Sequence, residues 1–209
     1  MSKNEVQGSF RWRVFLLTLA LGLIMGAPGA LAAGPGDDIK NLINEVLAIL
    51  HNPALQGAKQ RARKVDLVEQ AAARHFNYRE MAQRSLGETW KTLNQGQQDE
   101  FVKNFSGLLK ASFACRLDEL TKAGVTYQPE ILKPDHAEVP IIILRPNDKI
   151  PVSFRMLKGP QGWMIYDLVI EGVSLADNYR TQFARVIKGG SFQDLLKVLQ
   201  ARMAEECKP

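Results

Sequence analysis

The chain of 209 residues is 45% hydrophobic and 23% charged, proportions typical of one globular domain or of a domain with an appendage. This apolar content excludes intrinsic disorder, and 16 glycines are too few for a collagen-like repeat. Two cysteines exclude a disulfide scaffold and a four-thiolate zinc site, and no two of the three histidines have the spacing of a helical metal site. We therefore expect neither a metal nor a cofactor.

Residues 1–32 have the three parts of a secretory signal peptide. A basic start precedes an uncharged apolar run over 14–25, and small residues precede the expected cleavage site after Ala32. A helix of that run would extend roughly 18 Å, short of the roughly 30 Å of bilayer hydrocarbon, although an uncleaved anchor is the alternative. Removing three positive charges and one negative charge lowers the net charge from +5 to +3. This excess is weak evidence for a nucleic-acid partner, and we expect none.

Two features of the expected mature domain, residues 33–209, leave alternatives open. Four basic residues within 59–64 are typical of a solvated helix face, but they could also dock acidic head groups or an acidic partner. Export would place Cys115 and Cys207 in an oxidising compartment, and the sequence does not establish whether they lie within disulfide distance.

The mature chain opens with a helical region over 38–123. Apolar residues at helical spacing predict helices over 39–50 and 65–73. Capping-box patterns predict the starts of two further helices at Asn77-x-x-Glu80 and Asn94-x-x-Gln97. The helix that follows the second pattern has the longest apolar stripe and is expected to end at Gly124.

A strand-rich region follows over 125–171, and two helices over 175–206 complete an α+β fold. The β-rich segments, separated by short links that each contain proline, are Val125–Leu132, Ala137–Leu144, Ile150–Leu157 and Gly162–Ile170. Links of this length predict hairpins and a four-stranded antiparallel meander. The second strand is apolar on both faces, which predicts either cover on both sides of the sheet or extra packing at the strand end. Pro140 favours an edge or a bulge.

Few residues point to catalysis. The sequence has no Gly-x-Ser-x-Gly elbow, no phosphate loop and no dinucleotide fingerprint. Tyr166, Asp167 and Glu171 are the strongest candidates, because an acid in an apolar cone can abstract a proton. Neighbouring strand residues point to opposite faces, however, so Tyr166 and Asp167 cannot share one pocket. The sequence has instead an excess of large apolar side chains, which either fill a core or line a cavity for a guest molecule.

Two blocks of the sequence form a recognisable pattern. The first runs over 76–87 and continues with Trp90-Lys91-Thr92-Leu93; the second runs over 166–175 and continues through 178–183. With the strand start Ile150-Pro151-Val152, this pattern resembles the MlaC family of toluene-tolerance or ABC-transporter auxiliary proteins. The similarity covers about residues 38–200.

The resemblance implies an NTF2-like cone built on a four-stranded antiparallel sheet, and a function other than catalysis. It implies a periplasmic carrier that binds phospholipid acyl chains and moves lipid between membranes. The implied partners are an inner-membrane ABC transporter with an MCE protein and an outer-membrane lipoprotein–porin complex. The alternatives are a carrier of another lipid such as a hopanoid, a small NTF2-like enzyme, and an adaptor that only docks on a transporter.

The resemblance also implies a set of apolar lipid-binding positions. Those on helices are Met81, Ala82, Leu86, Trp90, Phe105, Leu109, Phe113 and Leu117. Those on the sheet are Val139, Ile141, Val152, Phe154, Ile165 and Val173.

Overall fold

The structure, a computed structural model, describes residues 34–205. The expected signal peptide and Cys207 lie outside the described residues. The α-helices are α1 (Pro35–His51), α2 (Arg61–Ala73), α3 (Tyr78–Leu86), α4 (Thr89–Thr92), α5 (Gln95–Leu120), α6 (Leu175–Gly189) and α7 (Phe192–Glu205). Two short 3₁₀ turns, Pro53–Leu55 and Ala58–Gln60, connect α1 to α2.

The helices flank an open antiparallel sheet, and the α+β class is confirmed. Its strands are β1 (Gly124–Tyr127), β2 (Ile131–Leu132), β3 (His136–Arg145), β4 (Asp148–Gly159), β5 (Gly162–Ile170) and β6 (Val173–Ser174). The order is β1-β3-β4-β5-β6, and β2 pairs with β3 beyond the end of β1. The described residues thus form six strands rather than the predicted four, because the first predicted strand is divided in two and β6 adds a short edge.

The gap between β1 and β2 contains Pro129 and lies opposite Pro140 of β3. The backbone N–H of Gln128 donates to the carbonyl oxygen of Pro140 at 3.0 Å, so this oxygen faces the gap between β1 and β2. A strand residue directs its N–H and its C=O to the same side, and proline has no N–H to donate. The missing donor therefore faces a gap in the ladder, which lets proline lie within β3, an interior strand, rather than at the expected edge or bulge.

The burial of β3 differs from the expectation of cover on both faces. Ala137, Val139 and Ile141 are buried, whereas the residues between them are half-buried. This alternation is typical of a sheet with one packed face.

Side-chain caps position the helices that surround that face. The amide oxygen of Asn77 accepts from the backbone N–H of Glu80 at 3.0 Å and begins α3. Asn94 and Gln97 form the reciprocal capping box predicted for α5, with bonds of 2.9 and 3.0 Å. Both helix starts are therefore confirmed.

A solid core lies where α5 meets α6 and α7. The rings of Phe101 and Phe105 stack with centroids 5.7 Å apart, and Phe183 meets both edge-on at 5.7 Å. All three side chains are fully buried. Burial of such a side chain contributes about 1.5–3 kcal/mol, so this cluster is a main source of stability.

Candidate functional site

A cavity of about 220 Å³ lies between the sheet, α1, α2 and the second half of α5. The lining residues on the helices and the turns that adjoin them are Leu42, Ile43, Val46, Leu47, Leu50, Val65, Val68, Glu69, Ala72, Phe76, Tyr78, Lys110, Phe113, Ala114, Leu117, Leu120 and Ala123. The strand residues that line it are Val125, Ile141, Ile143, Val152, Phe154, Leu168 and Ile170. Nearly all of these side chains are apolar, so the cavity is suited to hydrocarbon.

Strand pairing builds the floor of the cavity. Ile141 lies opposite Val152, and Phe154 lies opposite Leu168. Alternate residues of a strand share one face of a sheet, so Ile143 and the other floor residues two positions along also point into the cavity. The floor is therefore a continuous patch of branched and aromatic side chains.

Helical periodicity builds the opposite walls. The apolar stripe of α1 contributes Leu42, Val46 and Leu50, while Phe113 and Leu117 project from one face of α5. An ion pair in which the guanidinium of Arg74 meets the carboxylate of Glu45 joins α2 to α1. The α1–α2 pair thus forms one wall and α5 forms another.

Charge enters the described lining at only two positions, Glu69 on α2 and Lys110 on α5. Lys110 Nζ lies 3.7 Å from Glu69 Oε2, and the two side chains are 35% and 34% exposed. Burial, with a smaller contribution from the carboxylate of Glu69, raises the pKa of the nearby Tyr78 hydroxyl to about 12. The hydroxyl therefore stays neutral over the ordinary pH range and adds no charge to the lining.

Five of the predicted lipid-binding positions line this cavity: Phe113, Leu117, Ile141, Val152 and Phe154. Phe113 is 39% exposed, which brings the cavity to the surface at this point of α5. Their contact with a lipid stays a prediction, but the structure brings them together.

The other nine predicted positions lie elsewhere. The positions buried in the packed interior are Met81, Ala82, Leu86, Trp90, Phe105, Leu109 and Ile165. Val139 is buried beside a separate, more polar pocket at the start of α1, and Val173 on β6 is 56% exposed. Their assignment to lipid binding also stays a prediction, without support from cavity geometry.

Sequence reasoning missed the contribution of α1 and α2 to the lining. The stripe of α1 was evident from Leu42, Val46 and Leu50, but an apolar stripe looks the same whether it faces a core or a cavity. Val65 and Val68 on α2 gave a weaker signal, because charged residues surround them.

The strongest enzyme-like residue, Asp167, has structural partners. It is buried, and its Oδ2 accepts from Ser174 Oγ at 2.7 Å and from Arg155 Nη1 at 3.3 Å. Its Oδ1 accepts from the backbone N–H of Ala176 at 3.0 Å, which ties the start of α6 to the sheet. The adjacent Tyr166 lies under the guanidinium of Arg84, 4.1 Å from the ring centroid. Through these contacts Asp167 holds the start of α6 against the sheet.

The basic residues at and just before the start of α2 lie in different environments. Lys59, Arg61 and Arg63 are exposed, whereas Lys64 is buried and donates to Gln56 Oε1 at 3.4 Å. The guanidinium of Arg61 donates to the carbonyl oxygen of Ala114, a residue of the cavity wall, at 3.3 Å. The segment therefore borders the cavity and is not a uniformly solvated face.

Other classes of site find no support in residues 34–205. Within this range, no group of three or more His, Cys, Asp or Glu side chains is placed to hold a metal ion. None of the helices in this part of the chain is long and apolar enough to cross a bilayer. Cys115 is disulfide-bonded, and the second cysteine of the chain, Cys207, lies outside the described residues.

Comparison with known proteins identifies the family of this chain. The model of the MlaC protein family matches residues 40–201. A phospholipid-binding protein from Ralstonia solanacearum, solved in complex with a phospholipid, is 28% identical and superposes with a TM-score of 0.74. That match covers 84% of this chain and 100% of the Ralstonia chain. Among curated proteins, none matches the sequence significantly. Because the family model spans most of the sequence, the chain belongs to the MlaC family.

Proposed function

We propose that this protein is a periplasmic phospholipid carrier that holds acyl chains in the cavity formed by α1, α2, α5 and the sheet. The observation that carries the proposal is the lining itself, which is apolar except for Glu69 and Lys110 among the described residues. Membership of the MlaC family and the phospholipid-bound Ralstonia neighbour support the same ligand class.

The size of the cavity implies that one of its walls moves when lipid enters. Its volume of 220 Å³ is below the roughly 300–1,000 Å³ of pockets that bury a drug-sized molecule. A two-chain lipid therefore requires a wider cavity. We expect α2 to be the wall that moves outward, because the Lys110–Glu69 pair that links it to α5 is partly exposed. In contrast, α1 buries Ile39 and Leu50 in the interior.

A carrier must also release its lipid. Two acyl chains have roughly thirty CH₂ groups, and at about 0.8 kcal/mol each their removal from water is on the order of 24 kcal/mol. This exceeds the practical ceiling of about 20 kcal/mol for non-covalent affinity, so it is not a binding free energy. The relevant comparison is between the cavity and a bilayer, where these terms nearly cancel. An apolar cavity without a tight polar clamp therefore allows both loading and unloading.

The transport step and its partners belong to the proposal as well. The carrier would move lipid between an inner-membrane ABC transporter with its MCE protein and an outer-membrane lipoprotein–porin complex. The signal-peptide pattern of residues 1–32 supports export. A hopanoid is the alternative guest, since an apolar wall does not select between acyl chains and a polycyclic lipid.

Two adjacent alanines allow a matched test of the cavity. Ala72 lines the cavity, and Ala73, the next residue of α2, is exposed. We expect Ala72→Phe to fill part of the cavity and to lower the lipid that co-purifies with the protein at least severalfold. Ala73→Phe adds the same ring to the surface and should leave lipid content unchanged.

The measurement is organic-solvent extraction of the purified protein followed by mass spectrometry, which reports both the presence and the class of lipid. Circular dichroism checks that both variants fold. Absence of any lipid from the wild-type protein would overturn the proposal, and so would equal loss of lipid in both variants.

A further inference from the structure

The charged pair in the cavity lining lies at the seam between α2 and α5, where the cavity meets solvent. Every other described lining residue is apolar apart from the hydroxyl of Tyr78, whereas Glu69 and Lys110 face each other from α2 and α5. Each is about a third exposed, so the pair contacts both the cavity and solvent. Hydrocarbon inside the cavity that extends toward this seam meets its first charged groups here.

The pair is loose enough to accept another partner. The distance of 3.7 Å between Lys110 Nζ and Glu69 Oε2 exceeds the 2.7–3.2 Å of an ordinary N–H···O hydrogen bond. An ammonium group carries three donors, and an exposed ion pair of this kind contributes about 0–1 kcal/mol. Exchanging the carboxylate for another anion is therefore inexpensive.

A second cation borders the same seam. The guanidinium of Arg61 reaches the carbonyl oxygen of Ala114, and Ala114 lies four residues after Lys110 on α5. Four residues of α-helix advance about 6 Å along the axis. Arg61 therefore contacts α5 about one helical turn from Lys110, at the edge of the apolar cavity.

We propose that this edge, at Lys110 of α5, is a binding subsite for the phosphate of the lipid head group. A glycerophospholipid places its phosphate a few bonds from the point where its hydrocarbon ends, which matches a cationic edge on an apolar chamber. Lys110 exchanges Glu69 for the phosphate and forms charge-assisted hydrogen bonds. Glu69 then acts against binding, because its carboxylate competes for Lys110 and repels the anion.

The inference rests on the proposed function, and a paired-lipid experiment separates the two. Protein is loaded from mixed detergent micelles with equal amounts of phosphatidylglycerol and a diacylglycerol that has the same acyl chains. The ratio of the two bound lipids is read by mass spectrometry. Diacylglycerol lacks the phosphate, so its binding reports on the cavity and on correct folding, and the ratio reports on the phosphate contact.

Three variants are expected to change the lipid ratio in different ways. Lys110→Gln should lower the ratio of phosphatidylglycerol to diacylglycerol by up to about fivefold, the effect of losing one partly exposed charge pair. Glu69→Gln should raise the ratio. Lys103→Gln, on an exposed part of the same helix and outside the lining, should leave it unchanged.

Each outcome bears on a defined claim. An unchanged ratio in Lys110→Gln, or an equal fall in Lys103→Gln, would overturn the phosphate subsite while leaving the lipid cavity intact. Failure of the wild-type protein to bind either lipid would overturn the proposed function instead. Millimolar inorganic phosphate should not displace the bound phosphatidylglycerol, and displacement would identify a site for free anions rather than for a lipid head group.

Discussion

The two halves of α5 have the same residue pattern and different surroundings. In the first half, Phe101 and Phe105 are fully buried against Phe183 of α6. In the second half, Phe113 and Leu117 face the cavity between α5 and the sheet. The apolar stripe is continuous, so it does not determine which half is solid. The difference arises from what lies opposite, namely aromatic rings from α6 in one case and a gap closed by α1 and α2 in the other.

This contrast predicts unequal costs of truncating the two aromatic residues. Phe105→Ala should lower the free energy of unfolding by about 3–5 kcal/mol, because it leaves a hole in a close-packed cluster. Phe113→Ala should cost less than about 1.5 kcal/mol, because the ring is 39% exposed and borders a space that already exists. Urea denaturation of both variants, freed of lipid beforehand, measures the difference. Equal costs would contradict the division of α5 into a solid half and a hollow half.

A second prediction concerns how α6, which packs against the solid half of α5, is attached to the sheet. Asp167→Asn removes the negative charge that faces Arg155 while keeping the size of the side chain. We expect a loss of about 1–3 kcal/mol, since Asp167 is buried and accepts three hydrogen bonds, one of them at the start of α6. Thermal or urea unfolding measures this loss.

The same variant also tests the contrast between the two halves. Asp167 does not line the cavity, so lipid content per folded molecule should remain that of the wild-type protein. A specific loss of bound lipid at unchanged stability would show that Asp167 serves the cavity. Loss of an enzymatic turnover would revive the catalytic alternative.

The sequence predicted the elements better than it predicted the cavity. Capping patterns at Asn77 and Asn94 are local, since the side chain and the backbone it binds are three residues apart, and both were confirmed. The division of the first strand was missed, although Pro129, which has no N–H to pair, lies in the gap between β1 and β2.

The lining is a question of tertiary packing, which explains why its prediction is incomplete. Periodicity identifies which face of a helix is apolar, but it gives no distance to the element opposite. Leu86 and Leu117 therefore look equivalent in sequence, although Leu86 lies in the packed interior and Leu117 lines the cavity. The role of α1 and α2 as a wall depends on the same missing information.

The smallest predicted effect tests whether the cavity is dry at the border between the two regions. Tyr78 stacks on Phe76 at 5.6 Å and lines the cavity. Burial, with a smaller contribution from the Glu69 carboxylate, raises its pKa to about 12 from the ordinary value near 10. Between about pH 10 and 12 the folded chain keeps a proton that the unfolded chain has released, so stability falls as the pH rises through this window. Tyr78→Phe removes this term. We expect wild-type protein to lose up to about 2 kcal/mol relative to the variant across the window, measured by urea denaturation at a series of pH values. A constant difference between the two proteins would mean that water reaches the Tyr78 hydroxyl, and the hollow half would then be wet where a hydrocarbon site must be dry.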